Sequence, residues 1–273
     1  MWDAVQHDSN AGAARRFGRP VADAMREVGR GALVVFDGLC AAPAALVRRR
    51  GRQAWFGQMY TAGIGSLGVI TVVSLFTGMI MALQVGIELR RWNQEEFIGA
   101  GVMAVMLREM GPMMSGIVLA ACVGSAMAAQ IGMMTANEEI AALELMSISP
   151  VRFLATPRLM ALLVMAPLLS FYTCVLGIFG GAVVGVTQFA LSWNQYFASA
   201  MDFASNKALY VGLLKAAIFG IVIAGVSCYE GFSTTGAAVG VGRATRNSVV
   251  KSILLIIMIG YIVTSLFYAK SQP

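Results

Sequence analysis

The sequence predicts an all-α integral membrane protein: an N-terminal interfacial amphipathic helix, about five transmembrane helices, and one short cytoplasmic helix that crosses nothing. Three observations predict it. Of 273 residues, 58% are hydrophobic and only 12% charged, with a mean hydropathy of +0.73. Soluble domains carry about 25% charged residues. Five apolar runs each supply the ~20 residues that a bilayer crossing needs. Finally, the segments between those runs are polar, aromatic or basic in the pattern expected at membrane edges. The chain divides into an N-terminal cytoplasmic and interfacial segment, residues 1–54, and a transmembrane domain, residues 55–273.

Residues 1–20 are polar and rich in Ala and Arg, which predicts disorder and not a cleaved signal sequence. Val21, Met25, Val28, Ala32, Phe36 and Leu39 then form a helical stripe, with Asp23, Arg26, Glu27 and Arg30 off it. That pattern suits a helix lying in the headgroup region. Pro43 interrupts it, and Arg48, Arg49, Arg50 and Arg52 precede Trp55, Phe56 and Tyr60, a basic and aromatic membrane edge.

The first span is predicted over residues 61–85, which carry no formal charge. The second covers residues 98–134, too long for one straight crossing, so tilt, a kink at Gly111-Pro112 or a broken helix is expected. Thr135 to Met146 reads as a separate acidic helix. Thr135 with Glu138 has capping-box spacing. Glu138 and Glu139 occupy the first turn, where the helix dipole favours carboxylates. Ile140, Leu143 and Met146 share one face. Such a helix cannot span a bilayer, so its apolar stripe must meet the rest of the chain or another protein. Ser149 precedes Pro150, which ends it.

The third span lies within residues 159–191. Its Gly177, Gly180, Gly181 and Gly185 are spaced for close helix approach in lipid. Residues 192–207 carry Trp193, Tyr196 and Phe197 and read as an interfacial loop. The fourth span covers 209–229, with Lys215 near one end and able to snorkel. Residues 230–247 are too polar for a span, and the fifth span follows over 249–267. Arg15, Arg16, Arg152, Arg158, Arg243, Arg246 and Lys251 fall on the side of the N-terminus, together with the basic run at 48–52. Only Arg90, Arg91, Lys207 and Lys270 fall opposite. The bias places the N-terminus and the acidic helix in the cytoplasm and the C-terminus outside.

The sequence offers no catalytic constellation. The single His7 lies in the polar start, and Cys40, Cys122, Cys174 and Cys228 are scattered in apolar contexts without metal spacing. Gly240-Val241-Gly242 lacks the Gly-Lys-Ser/Thr that a phosphate loop requires, so no nucleotide or other cofactor is expected in this chain. The net charge of +6 is concentrated near the N-terminus and is no nucleic-acid footprint. Arg108 and Glu109 are charges at membrane depth, either an ion pair at an interface or a polar spot facing a cavity. Two function classes remain: the membrane subunit of a transporter powered by a separate ATPase, and an ion- or proton-coupled carrier or channel for a small solute. The third to fifth spans lack the buried acid pairs expected of the latter.

One stretch is more specific. Glu138-Glu139-Ile140-Ala141-Ala142-Leu143-Glu144-Leu145-Met146, then Pro150-Val151-Arg152-Phe153-Leu154 and Pro157-Arg158, resembles the signature of the MlaE/YrbE permeases, as does Leu107-Arg108-Glu109-Met110-Gly111-Pro112 upstream. The resemblance covers residues 58–268. Cys122 and Gln130 stand where that family often has Arg and Glu; Ala141, Ser147 and Ser149 stand where it often has Asp, Gly and Asp.

The resemblance implies a membrane permease subunit of an ABC transporter moving lipids, with phospholipid the expected cargo, between the bacterial inner membrane and a periplasmic MCE-domain protein. It implies a homodimer, two copies of a separate ATPase that carries the ATP and Mg, and a STAS-domain partner in some systems. Glu138, Glu139, Ile140, Leu143, Glu144 and Met146 then form the ATPase-coupling helix. The lipid path is expected at the dimer interface between the first, second and fifth spans. There Leu83, Gln84, Arg108, Glu109, Tyr261 and Thr264 would suit a headgroup with acyl tails, while Phe179 on the third span would lie off it.

Overall fold

The computed structural model describes residues 49–268 continuously, with residues 29, 31, 35–38 and 40 as further helical positions. Residues 1–20, most of the predicted N-terminal stripe and Lys270 lie outside the described residues. All regular structure among the described residues is helical. Five helices are long and apolar enough to cross a membrane: α1 (Arg49–Arg90), α2 (Glu95–Ala136), α4 (Val151–Gln188), α6 (Asn206–Phe232) and α7 (Ala238–Tyr268). Two short helices do not span. These are α3 (Glu139–Leu145), between α2 and α4, and α5 (Trp193–Asp202), between α4 and α6. They mark opposite ends of the bundle, the α3 end and the α5 end.

Each helix outruns its sequence-predicted span because hydropathy detects the lipid-crossing part and not the turns beyond it. α1 has 42 residues, roughly 63 Å at 1.5 Å per residue, about twice the ~30 Å hydrocarbon core. The largest extension is at α7. Residues 238–247, read from their polarity as loop, are helical, and Gly240-Val241-Gly242 lies inside that helix. Residues 192–207 likewise hold a helix. Ser192 accepts from the Gln195 backbone N–H at 3.2 Å, and the Gln195 side chain accepts from the Ser192 N–H at 3.0 Å. That capping box, written S-W-N-Q, was visible in the sequence.

α2 is one continuous rod with π turns at Met106–Met110 and Ala120–Gly124. The first sits directly before Pro112, so the predicted irregularity is present and takes the form of a wider turn. Proline has no N–H to give to the carbonyl four residues back, which is that of Arg108. A neighbouring helix takes over that carbonyl, as described below.

α1 packs on α4 along small residues. A Cβ at Gly78 would strike the Gly177 carbonyl, and one at Gly180 would strike the Leu75 carbonyl. Here the backbones themselves are in contact, as the glycine spacing of α4 predicts. Gly181 and Gly185 of α4 instead make room for Tyr196 of α5, whose buried hydroxyl donates to the Ile178 carbonyl at 3.2 Å. Burial pushes the Tyr196 phenol up, so it remains a neutral donor. α6 and α7 pair with each other and with α2. α1 and α7 are the least buried spans, with 28% and 17% of their apolar windows inside the fold against 50% for α2 and α6. Part of the N-terminal amphipathic segment is visible and packed: Val35 lies against Gly225 of α6, and Gly38 against Leu159 of α4.

Candidate functional site

At the α5 end, three helices converge on one ammonium. Lys215 of α6 is 1% exposed, about nine residues or roughly 14 Å into its helix. Its Nζ donates to Glu109 Oε1 of α2 at 2.7 Å, to Thr264 Oγ1 of α7 at 2.7 Å, and to the Arg108 carbonyl at 2.9 Å. That carbonyl is the one Pro112 leaves without its α-helical donor. Thr264 also donates to Glu109 Oε1 at 2.5 Å. A cation in hydrocarbon is costly unless paired and fully hydrogen-bonded, and three acceptors match the three protons of an ammonium. Glu109 is 36% exposed in its side chain, so the cation is the buried partner of the pair. The Arg108 side chain turns away, its guanidinium 5.2 Å from the Tyr268 ring centroid, and Lys207 approaches the same ring at 5.7 Å.

The sequence grouped Arg108, Glu109 and Thr264, and the structure brings Glu109, Thr264 and the Arg108 backbone together. Lys215, read as a snorkelling residue, is instead the centre of the cluster. Its signal was available: a cation deep in an apolar run needs an acid at its own depth, and Glu109 was the candidate. Leu83 and Gln84 do not join the cluster. Leu83 lines a groove of about 430 Å³ with Ile87, Arg90 and Phe189, between α1 and α4, and Gln84 is exposed. Tyr261 stands 76% exposed on α7. The reason is packing, since α1 is held by α4 while α7 is held by α6 and α2.

The α3 end has a second ion pair. Lys251 Nζ of α7 lies 2.7 Å from Glu230 Oε1 of α6. Ser227 and Ser248, each three residues earlier in its helix, hydrogen-bond at 2.9 Å. α6 continues past Tyr229 and carries Glu230 inside, where it pairs with a lysine and not with a second acid. Nearby, buried Arg158 of α4 donates to the Leu154 carbonyl at 2.8 Å and to Gln130 Oε1 of α2 at 3.3 Å. Its Nε has no partner, and among the described residues no carboxylate lies within ion-pair distance.

The acidic helix is shorter than expected. α2 runs on to Ala136, and Thr135 donates to the Ile131 and Gly231 carbonyls, so no capping box forms with Glu138. Glu138 is instead a left-handed corner at φ 61°. The far end of α3 closes as a Schellman motif. Ile148 N–H donates to the Leu143 carbonyl and Ser147 N–H to that of Glu144, with Ser147 left-handed at φ 58°. The apolar stripe divides. Ile140 and Leu143 are half-buried against the chain itself, whereas Leu145 is 88%, Met146 61% and Phe153 60% exposed. Leu145 and Phe153, which the helical stripe did not pick out, complete the exposed apolar surface with Met146.

The family described as Permease MlaE matches residues 55–266. The chain belongs to the MlaE permease family. Among its relatives, an intermembrane phospholipid transport system permease protein MlaE of Haemophilus influenzae is 29% identical over 252 residues, 92% of this chain and 95% of that one. A probable ABC transporter permease protein of Rickettsia conorii is 35% identical over 211 residues, 77% of this chain and 82% of that one. The chloroplastic protein TRIGALACTOSYLDIACYLGLYCEROL 1 of Arabidopsis thaliana is 31% identical over 77% of this chain and 60% of its own. As an MlaE permease, the chain is a multi-pass membrane protein and a transporter subunit. The MlaE signature read from the sequence maps onto α3, the turn after it and the first turns of α4, and its upstream part onto the π turn that carries Arg108 and Glu109.

Proposed function

We propose that this chain is the membrane subunit of an ABC transporter that moves glycerophospholipid between the bacterial cytoplasmic membrane and a periplasmic MCE-domain protein. A separate ATPase would power it and hold the ATP and Mg, with a STAS-domain protein as a further partner. The observation that carries the reading is α3 with the turn after it. This helix is too short to span and presents Leu145, Met146 and Phe153 outward, with Glu138, Glu139 and Glu144 exposed beside them. Large apolar side chains exposed outside lipid mark a protein partner. The ATPase docks there, which makes the α3 end cytoplasmic, in line with the Lys/Arg bias. The name of the Haemophilus relative supports phospholipid as cargo.

The little-buried faces of α1 and α7 are where a second copy packs. In the homodimer, Leu83 and Gln84 of one copy approach Tyr261, Thr264, Glu109 and Arg108 of the other, and lipid passes between them. A carrier driven by ions draws support from the two intramembrane ion pairs. Purifying the chain from native membranes separates the readings. An ATPase that co-purifies and drives phospholipid transfer in liposomes supports the proposal; flux that follows a proton or sodium gradient and ignores ATP sinks it.

A further inference from the structure

An apolar groove at the α5 end belongs to neither site. It holds about 470 Å³, within the ~300–1,000 Å³ of small-molecule sites. Phe171, Val175 and Phe179 of α4 form one wall, all close to half-exposed and facing outward from the bundle. Met103 and Leu107 of α2 form the floor. Phe197 and Met201 of α5 roof it, and Ser205 and Asn206 supply its polar rim. Lys207 follows directly but leaves the groove, its ammonium 5.7 Å from the Tyr268 ring of α7.

We infer that this groove holds one acyl chain of a glycerophospholipid from the leaflet on the α5 side, with the headgroup at the Ser205–Asn206 rim. Three features select this occupant. The lining is apolar and opens sideways, where the bilayer lies. The rim is polar, with the Ser205 hydroxyl and the Asn206 amide able to donate to a phosphodiester. The roof excludes the main competitor: a partner's spanning helix is ~10 Å wide and needs ~20 residues to cross, so it would run into α5, whereas an acyl chain ends beneath the interface. α5 itself is fixed, by its capping box, by Tyr196 in the glycine notch of α4, and by Trp193, which stacks on Phe197 and lies tilted against Phe179. The groove therefore keeps its roof whether or not lipid is present. This site lies on the α4 flank, away from the α1 and α7 faces, and it does not depend on the transport reading.

The test uses the full chain purified in mild detergent, with no ATP or ATPase, so failure of transport cannot imitate failure of the site. Bound phospholipid is counted by native mass spectrometry. Val175→Trp and Ala204→Trp fill the groove, and Leu214→Trp puts the same bulk on a lipid-facing position of α6 outside it. We expect one fewer retained phospholipid per chain in both filled variants, with wild-type retention in Leu214→Trp and unchanged melting in all three. A benzophenone side chain at Phe179 should capture phospholipid. Equal retention in all variants, or capture of a protein span at Phe179, overturns the inference. Should one filled variant fail to fold, the other and the Phe179 crosslink still decide.

Discussion

The two ends of the bundle solve the same electrostatic problem in opposite ways. Each ties α6 to a neighbour with a Lys–Glu pair at 2.7 Å, to α2 at the α5 end and to α7 at the α3 end. At the α5 end the cation is the buried partner, 1% exposed, and Glu109 keeps 36% of its side-chain surface. At the α3 end the acid is buried at 8% and Lys251 keeps 38%. Helices in lipid gain little from apolar contact alone, so polar ties set which helices stay together. The inverted burial means that each end tolerates loss of a different partner.

The largest expected effects come from stranding the dry partner. Glu109→Gln leaves Lys215 charged and buried, and should cost about 3 kcal/mol, at the low end of the range for a broken buried pair. Lys215→Met leaves a carboxylate that is already partly exposed and should cost less, about 1 kcal/mol. At the α3 end the order reverses, with Lys251→Met the more damaging substitution and Glu230→Gln the milder. Thermal unfolding in detergent reads all four. The same order at both ends would remove the contrast.

Smaller effects sharpen it. Arg158 at the α3 end is a buried cation held by a neutral amide, Gln130. Gln130→Glu, the residue common in the family, would convert that bond to a charge-assisted one and should stabilise by about 1 kcal/mol. A lower melting temperature would contradict the geometry. Smallest is Ser147→Gly. Ser147 holds a left-handed φ of 58°, and glycine meets no steric cost there. A gain of about 0.5–1 kcal/mol is expected, with ATPase binding unchanged.

Much of this architecture was legible in the sequence, because five apolar runs and the interposed acidic helix follow from composition and period. The glycine contact of α1 with α4 was half legible: the spacing in α4 pointed to close approach, but nothing marked Gly78 as its partner. Lys215 shows why the site was harder. Its surroundings read as a span near its end, and only the fold shows that Pro112 frees the Arg108 carbonyl just where the ammonium arrives. The split stripe of α3 was hidden for a similar reason. Helical period gives which residues share a face, and the Schellman turn after Leu145 ends that period before Met146 and Phe153.

In the proposed transporter the α3 end couples to an ATPase while the α5 end handles lipid. Reconstitution of the assembled transporter in liposomes, with ATPase retention and ATP-driven phospholipid transfer measured on the same samples, tests it most directly. Leu145→Asp combined with Phe153→Asp should lower ATPase retention at least tenfold, with Glu138→Lys and Glu144→Lys together giving the same direction. Thr264→Val should keep the ATPase bound and hydrolysing while transfer falls several-fold. Retention and transfer that stay at wild-type values in the α3-end variants, or that fall together in Thr264→Val, would contradict the division of labour between the two ends.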